Sequence, residues 1–144
     1  MKYLMAIGIG PVQEFIASAR RSRDLWFGSW LLSEISKAAA KKIADECGRD
    51  NLIFPSVGED KDLEPIKYKN GNLTSGTNFN VVNKIVALID TDPKELCENC
   101  EKIEKEMKRR LEEIRQDAYN AIRGKSYIDD VKAKLQVADL IEFY

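Results

Sequence analysis

The sequence contains no histidine, which removes at the outset every Ser-His-Asp triad, every imidazole general base and every His-based metal site. Cysteine is sparse: Cys47, Cys97 and Cys100 are an odd number with no secretory leader ahead of them, so they read as reduced thiols. Cys97 and Cys100 have the spacing of a metal or redox pair, but no second pair completes a zinc site and the stretch around them is strongly helical. They read as helix packing, with no metal site expected. Proline and glycine, at 4 and 8 residues, are too few for a disordered or fibrous chain. No apolar run approaches the roughly twenty residues of a membrane span, and the run 3–9 stops at Gly10-Pro11 without a small-residue cleavage pattern, so it is not a signal peptide. Neither sign of charge dominates: 23 basic and 24 acidic residues leave a net charge of -1, so any nucleic-acid contact must be local. What remains is the composition of a cytoplasmic globular protein of 144 residues, enough for one domain.

Residues 3–9 are apolar on both alternating faces, with Tyr3, Met5, Ile7 and Ile9 on one side and Leu4 and Ala6 on the other, as in a central strand covered on both sides. Pro11 then suits a helix start, and Phe15, Ile16 and Ala19 supply its apolar stripe. Gly28-Ser29 reads as the cap of a second helix carrying Leu31, Leu32, Ile35, Ala39 and Ile43, which ends near Gly48. A short strand follows at 52–55. Residues 56–80, polar and without periodicity, read as a flexible excursion. Residues 81–89 form another strand with two apolar faces. Asp92-Pro93-Lys94-Glu95 starts a long helix buried along Leu96, Cys100, Ile103, Met107, Leu111, Ile114, Ala118 and Ile122, and Gly124 ends it. On its exposed side Glu98 with Lys102, Glu101 with Lys105 and Glu104 with Lys108 are i,i+4 pairs. A last helix at 126–138 and an apolar run at 140–144 close the chain, the final strand looking cut. Asp129-Asp130 and the acids at 90–92 read as helix-start and loop features.

This order predicts an α+β fold, a ferredoxin-like βαββαβ unit with its first and third strands in the centre of the sheet. Helices cover one face of such a sheet. The apolar second face of the two central strands then predicts burial against another domain or chain.

Three features of residues 8–33 bear on chemistry. The Gly8-Ile9-Gly10-Pro11-Val12-Gln13 turn leads from a strand into a helix, where free N–H groups of Val12 and Gln13 favour an anion such as phosphate, or where the turn is simply a turn. No carboxylate stands at the strand end, so a two-metal centre cannot be assembled there. Arg20, Arg21 and Arg23 bunch at the expected end of the first helix, either as solvated dipole partners or as phosphate contacts. Trp26 and Trp30 stand just beyond, as core or interface anchors or as base-stacking surfaces.

The run GPVQEFIASARRSRDLWFGSWLLS, followed by LIFPS at 52–56, NKIVALI at 83–89 and the ending DLIEFY, resembles the large subunit of Cmr-type (type III-B) CRISPR RNA-silencing complexes. The resemblance covers nearly the whole chain in order. It implies a subunit with two palm-like domains that makes cyclic oligoadenylates from ATP, of which residues 1–144 match only the first palm. The metal-binding Gly-Gly-Asp-Asp motif belongs to the family's second palm and an HD nuclease domain precedes the first in some members. Neither is in this sequence, which suggests a member without the nuclease domain or a trimmed version of one. The resemblance places ATP between the palms and implies nucleotide contacts at Gly10, Val12 and Gln13, with Ser18, Arg20, Arg21 and Ser29 as further candidates. ATP with Mg is expected only in the full-length protein, and the fragment alone is expected to be inactive. Expected partners are the second palm, other complex subunits, guide and target RNA indirectly, and a second copy of the fragment. The rival readings are a structural interaction module and an RNA-contacting surface built on the arginines.

Overall fold

Along the chain the elements are β1 (Lys2–Gly10), α1 (Val12–Ser18), α2 (Ser22–Cys47), β2 (Leu52–Phe54), β3 (Lys67–Lys69), β4 (Asn72–Ser75), β5 (Lys84–Asp90), α3 (Pro93–Ile122), α4 (Asp130–Ala138) and β6 (Glu142–Phe143). They belong to a computed structural model that describes residues 1–69, 72–123, 127 and 129–144. Gly124 and Ser126, named above as a helix end and a helix start, lie outside the described residues.

The architecture is mixed α and β. One four-stranded antiparallel sheet has the order β2-β5-β1-β6, and β3 and β4 form a separate two-stranded ribbon. The two strands with apolar residues on both faces, β1 and β5, are the central pair, in register from Lys2 opposite Asp90 to Gly8 opposite Lys84. Their inner face presents Met5, Ile9, Ile85, Ala87 and Ile89 to Leu32, Ile35, Ala39 and Ile43 of α2 and to Ile103, Met107 and Ile114 of α3. Each large side chain buried this way contributes about 1.5–3 kcal/mol. The outer face has no such cover: Leu4 is 68% exposed, and Leu88, Ile53 and Phe54 are exposed beside it.

Gly28-Ser29 does not cap a helix. α2 runs through it without interruption from Ser22 to Cys47, with Gly28 buried. A mid-helix glycine costs about 1 kcal/mol, and the packing of residues 31–40, every one of them buried, outweighs it. One consequence is that Arg20, Arg21 and Arg23 do not follow the C-terminal end of α1, which stops at Ser18. They stand at the N-terminal end of α2, where the dipole disfavours cations, and the Asp24 carboxylate accepts the Arg21 backbone N–H at 3.1 Å.

α3 begins as its sequence implies, the Asp92 side chain accepting from the N–H groups of Lys94 and Glu95 at 2.9 and 3.0 Å. Glu95 turns to the Thr91 hydroxyl rather than back to the Asp92 N–H. Its buried stripe differs from the apolar one: Cys100, Ala118 and Ile122 are exposed, while Asn99, Arg110 and Arg115 are buried. Of the three exposed ion pairs, Glu104 with Lys108 forms at 2.6 Å, whereas Lys102 reaches across to Glu46 of α2 at 2.7 Å.

The buried arginine anchors part of the segment 56–80, whose described residues are 56–69 and 72–80. It holds a 3-10 turn at Asp60–Leu63 and the β3–β4 ribbon, and it buries Leu63 and Ile66. Glu34 on α2 is 1% exposed, as is Lys37, and Arg110 on α3 is 2% exposed. One Glu34 oxygen takes Lys37 at 2.8 Å; the other takes Arg110 at 2.7 Å and the Ile66 N–H at 2.8 Å. Arg110 also donates to the Ile66 carbonyl at 2.6 Å, and Lys37 to the Thr77 carbonyl at 2.8 Å. Gly76 closes the segment with φ +97, and a Cβ there would clash with the Pro65 carbonyl oxygen and the Ile66 backbone.

Two outcomes follow from this packing. Glu34→Ala leaves two cations buried without their anion and is expected to lower stability by about 3–5 kcal/mol in urea unfolding; a loss comparable to that of the exposed Glu104→Ala would show that the cluster is not dehydrated. Glu46, held by hydrogen bonds from Lys102 and then Lys42, is lowered from 4.5 to about 2. Glu106 beside Arg109 and Glu112 beside Arg115 are lowered in the same direction. A depressed carboxylate stabilises the fold fully above its unfolded value and loses that contribution as pH falls through its folded one. Thermal unfolding followed by circular dichroism should therefore show the midpoint falling between pH 4.5 and about 2, less steeply in high salt because Glu46 is exposed.

Candidate functional site

β1 ends at Gly8-Ile9-Gly10, and the chain passes through Pro11 into α1, which packs against the start of α2. Between these two helices lies a cleft of about 440 Å³, lined by Val12 and Ile16 of α1, by Leu25, Trp26, Gly28, Ser29, Leu32 and Ser33 of α2, and by Val81 and Asn83 ahead of β5. This volume and an apolar lining with a few polar groups are those of a small-molecule site. Its floor is held by hydrogen bonds: the Ser33 hydroxyl accepts the Val81 N–H at 2.9 Å, Asn83 Nδ2 donates to the Ile9 carbonyl at 3.1 Å, and the Ile9 N–H donates to the Asn83 carbonyl at 2.9 Å.

Of the nucleotide contacts expected from the sequence, Val12 and Ser29 meet in this cleft. Gly10 is buried two residues before Val12, at the end of β1, while Gln13, Ser18, Arg20 and Arg21 are exposed and do not line it. α1 has only seven residues, so its dipole adds little to an anion site at Val12 and Gln13. The strip of backbone bared by the glycines is already covered. A Cβ at Gly8 or Gly10 would touch Tyr144 at 3.8 Å, because Tyr144 exchanges backbone hydrogen bonds with Gly8 at 2.8 and 2.9 Å. The Tyr144 hydroxyl donates to Glu142, which raises its pKa above the usual value.

The sequence leaves Trp26 open between a core or interface anchor and a base-stacking surface. It is 76% exposed and forms a wall of the cleft, whereas Trp30 is half-buried against Phe27 with ring centroids 5.6 Å apart. A signal for it existed: Trp26, Ser29 and Ser33 recur at helical spacing once the helix is carried through Gly28. Val81 and Asn83 carried no such signal, since only the pairing of β1 with β5 brings them beneath α1.

Among the described residues no three His, Cys, Asp or Glu side chains gather into a set that could hold a metal ion. Cys97 and Cys100 are exposed on α3, and Cys47, half-buried, takes a weak contact from Asn99 Nδ2 at 3.6 Å. Partial burial raises the thiols of Cys47 and Cys100 above the usual cysteine value. Asp129 caps α4, accepting from Val131 and Lys132, and Asp130 pairs with Arg115 at 2.7 Å, so these acids hold structure. No helix among the described residues is long and apolar enough to cross a membrane.

With the cleft in place, comparison with known proteins defines the class. Residues 4–116 match the family described as CRISPR-associated protein Cmr2, N-terminal, and the chain belongs to that family. It is similar to the CRISPR system Cmr subunit Cmr2 of Pyrococcus furiosus, 34% identical over 112 residues that make up 77% of this chain and 12% of that protein. It is also similar to the CRISPR system CMR subunit Cmr2 of Saccharolobus solfataricus, 34% identical over 55 residues, 38% of this chain and 5% of that protein. The chain thus spans a small part of the length of the relatives it matches.

A Cβ at Gly8 or Gly10 meets Tyr144 at ordinary contact distance, so Gly8→Ala and Gly10→Ala should unfold at nearly the parent's denaturant midpoint. Gly76→Ala, by contrast, should lose more than about 1 kcal/mol. Equal losses at Gly10 and Gly76 would contradict the placement of Tyr144.

Proposed function

We propose that the chain is the first, ferredoxin-like palm of a type III-B CRISPR effector large subunit and serves there as a nucleotide-contacting and domain-docking module in antiviral defence. The sheet order β2-β5-β1-β6, with helices packed on one face, supports the palm reading. The observation that carries the nucleotide reading is the cleft itself, which brings Val12 and Ser29 together beside the Gly10 turn, with Gln13 and Ser18 on α1 and Arg20 and Arg21 in the segment between α1 and α2, all outside its lining. A nucleotide fits this lining. A divalent cation does not, since Gly8, Ile9 and Gly10 offer no carboxylate and no metal-binding set exists among the described residues. The chemistry of cyclic oligoadenylate synthesis is accordingly assigned to the whole protein, with Mg and its acidic ligands supplied by the second palm. The fragment alone is assigned no turnover. This palm's contribution is to hold and orient one ATP in the cytoplasm.

The docking role is supported by the bare outer face of the sheet, where Leu4, Leu88, Ile53 and Phe54 form an exposed apolar surface suited to the second palm, to other subunits of the complex, or in isolation to a second copy. RNA is reached indirectly, through those subunits. Light scattering should find the isolated chain self-associating, and Leu4→Lys should return it to a monomer; a parent chain monomeric at high concentration would count against this face as a docking surface.

The nucleotide reading is tested by titrating the isotopically labelled chain with ATP and Mg. Amide signals of Gly10, Val12, Gln13 and Ser29 should move together and saturably. Movement confined to other parts of the fold, or none, would overturn it.

A further inference from the structure

β1 stands between β5 and β6 in the sheet, yet its two neighbours cover it unequally. β5 pairs with it from Lys2 to Gly8, while β6 reaches only Ile9 and Gly10, with Tyr144 on Gly8. Hydrogen-bond direction alternates along an antiparallel strand, and two contacts fix its phase here. The Ile9 N–H donates to the Asn83 carbonyl at 2.9 Å, on the β5 side, and the Gly8 N–H donates to the Tyr144 carbonyl at 2.8 Å, on the β6 side. Odd-numbered residues of β1 therefore bond to β5, and even-numbered ones face the other edge. On that edge the N–H and C=O groups of Lys2, Leu4 and Ala6 meet no strand among the described residues.

Proteins blunt such an edge with proline, charge, a bulge or shortness. β2, at the far side of the sheet, is protected in this way, being three residues long with an irregular register. The free stretch of β1 has only Lys2 at its end, and from Tyr3 to Ile7 it is uncharged and without proline. Leu4 and its register partner Leu88 stand exposed on the outer face beside it.

Register decides which strand fits. An incoming antiparallel strand must set its own outward-facing backbone groups opposite Lys2, Leu4 and Ala6, and it must stop short of Gly8, which Tyr144 already holds. β1 of a second copy meets both conditions in a single register, with Leu4 opposite Leu4 across a twofold axis and Lys2 opposite Ala6 on either side. A shift toward Gly8 collides with Tyr144, and a shift the other way carries Ala6 past the end of the second copy's β1. In the register that fits, no like charges face each other, and Leu88 and Leu4 of each copy form a continuous row across the joined sheet.

We infer that the free edge of β1 is a self-pairing surface: two copies join β1 to β1, antiparallel about a twofold axis at Leu4, into one continuous sheet. This rests on the self-association proposed above and names the strand edge, instead of the apolar sheet face, as the place where the second copy binds. β1 has one free edge, so the assembly closes as a dimer.

Light scattering and native-state hydrogen exchange on the intact chain test this. The parent should be a dimer at high concentration, with its Leu4 and Ala6 amides exchanging at least about tenfold more slowly than in the diluted chain. Leu4→Lys and Leu4→Glu should each be monomeric, and their equimolar mixture should recover a dimer, because Leu4 faces Leu4. Ala6→Pro removes a donor that the β1–β5 pairing does not use and should weaken the dimer by about tenfold or more; if that variant fails to fold, amide exchange in the parent still decides. Phe54→Lys, on the sheet face away from this edge, should remain a dimer. If Phe54→Lys dissociates and the Leu4 and Ala6 amides of the parent dimer exchange as in the diluted chain, the copies join through the sheet face: the edge inference is overturned and the docking reading stands. A mixture of the two charged variants that stays monomeric, or a parent that grows beyond a dimer, also overturns the twofold edge. A parent monomeric at every concentration sinks both readings.

Discussion

The carboxylate of Glu34, buried between Lys37 and Arg110, is the interaction on which the rest of the structure depends. Dehydrating three charged groups costs several kcal/mol for each, and mutual attraction offsets that only when the remaining hydrogen-bonding capacity is used. Here both Glu34 oxygens are bonded, and the two cations also hold the carbonyls of Ile66 and Thr77, leaving Arg110 Nε as the one buried donor of the cluster without a partner among the described residues. The cluster therefore joins three parts of the chain that are remote in sequence. α2 supplies Glu34 and Lys37, α3 supplies Arg110, and the segment between β2 and β5 supplies its backbone.

The consequence for function lies in the division of α2. Its middle, residues 31–40, is buried on every side, while from Ser22 to Phe27 every residue is exposed. The cluster and the apolar core hold the first part, and the second projects beyond it as one wall of the cleft. A long helix clamped at its centre can present Trp26 and Ser29 in fixed positions without spending core residues on them. The floor of the cleft is held separately, by the pairing of Ile9 with Asn83 that ends the β1–β5 register. A ligand would thus meet two walls and a floor set by different parts of the fold, which is the arrangement a preorganised site requires.

Elements with local signatures were legible in the sequence: β1 and β5 from their alternation, the start of α3 from Asp92-Pro93, and the central place of the two apolar strands from their two-sided pattern. What could not be read depends on distant partners. Gly28 carries the local mark of a boundary, and only the burial of residues 31–40 carries the helix through it. Glu34 and Lys37 have the i,i+3 spacing of an ordinary solvated pair, and nothing near them announces that Ile66, 32 positions on, and Arg110, 76 positions on, will close over them. The site divides in the same way. The glycine turn and Ser29 stand within one short run, but Asn83 joins them through strand pairing, and Trp26 shows its role only once the helix is known to be continuous.

The central claim is that a dehydrated ion cluster holds Ile66 and Thr77 against the core, and it is tested most directly by native-state hydrogen exchange at the Ile66 amide, which donates to Glu34 at 2.8 Å. The account predicts that this amide exchanges only with global unfolding, at the same free energy as the amides of Ile35 and Ile43. Exchange at the rate of an open loop, well ahead of those two, would contradict it.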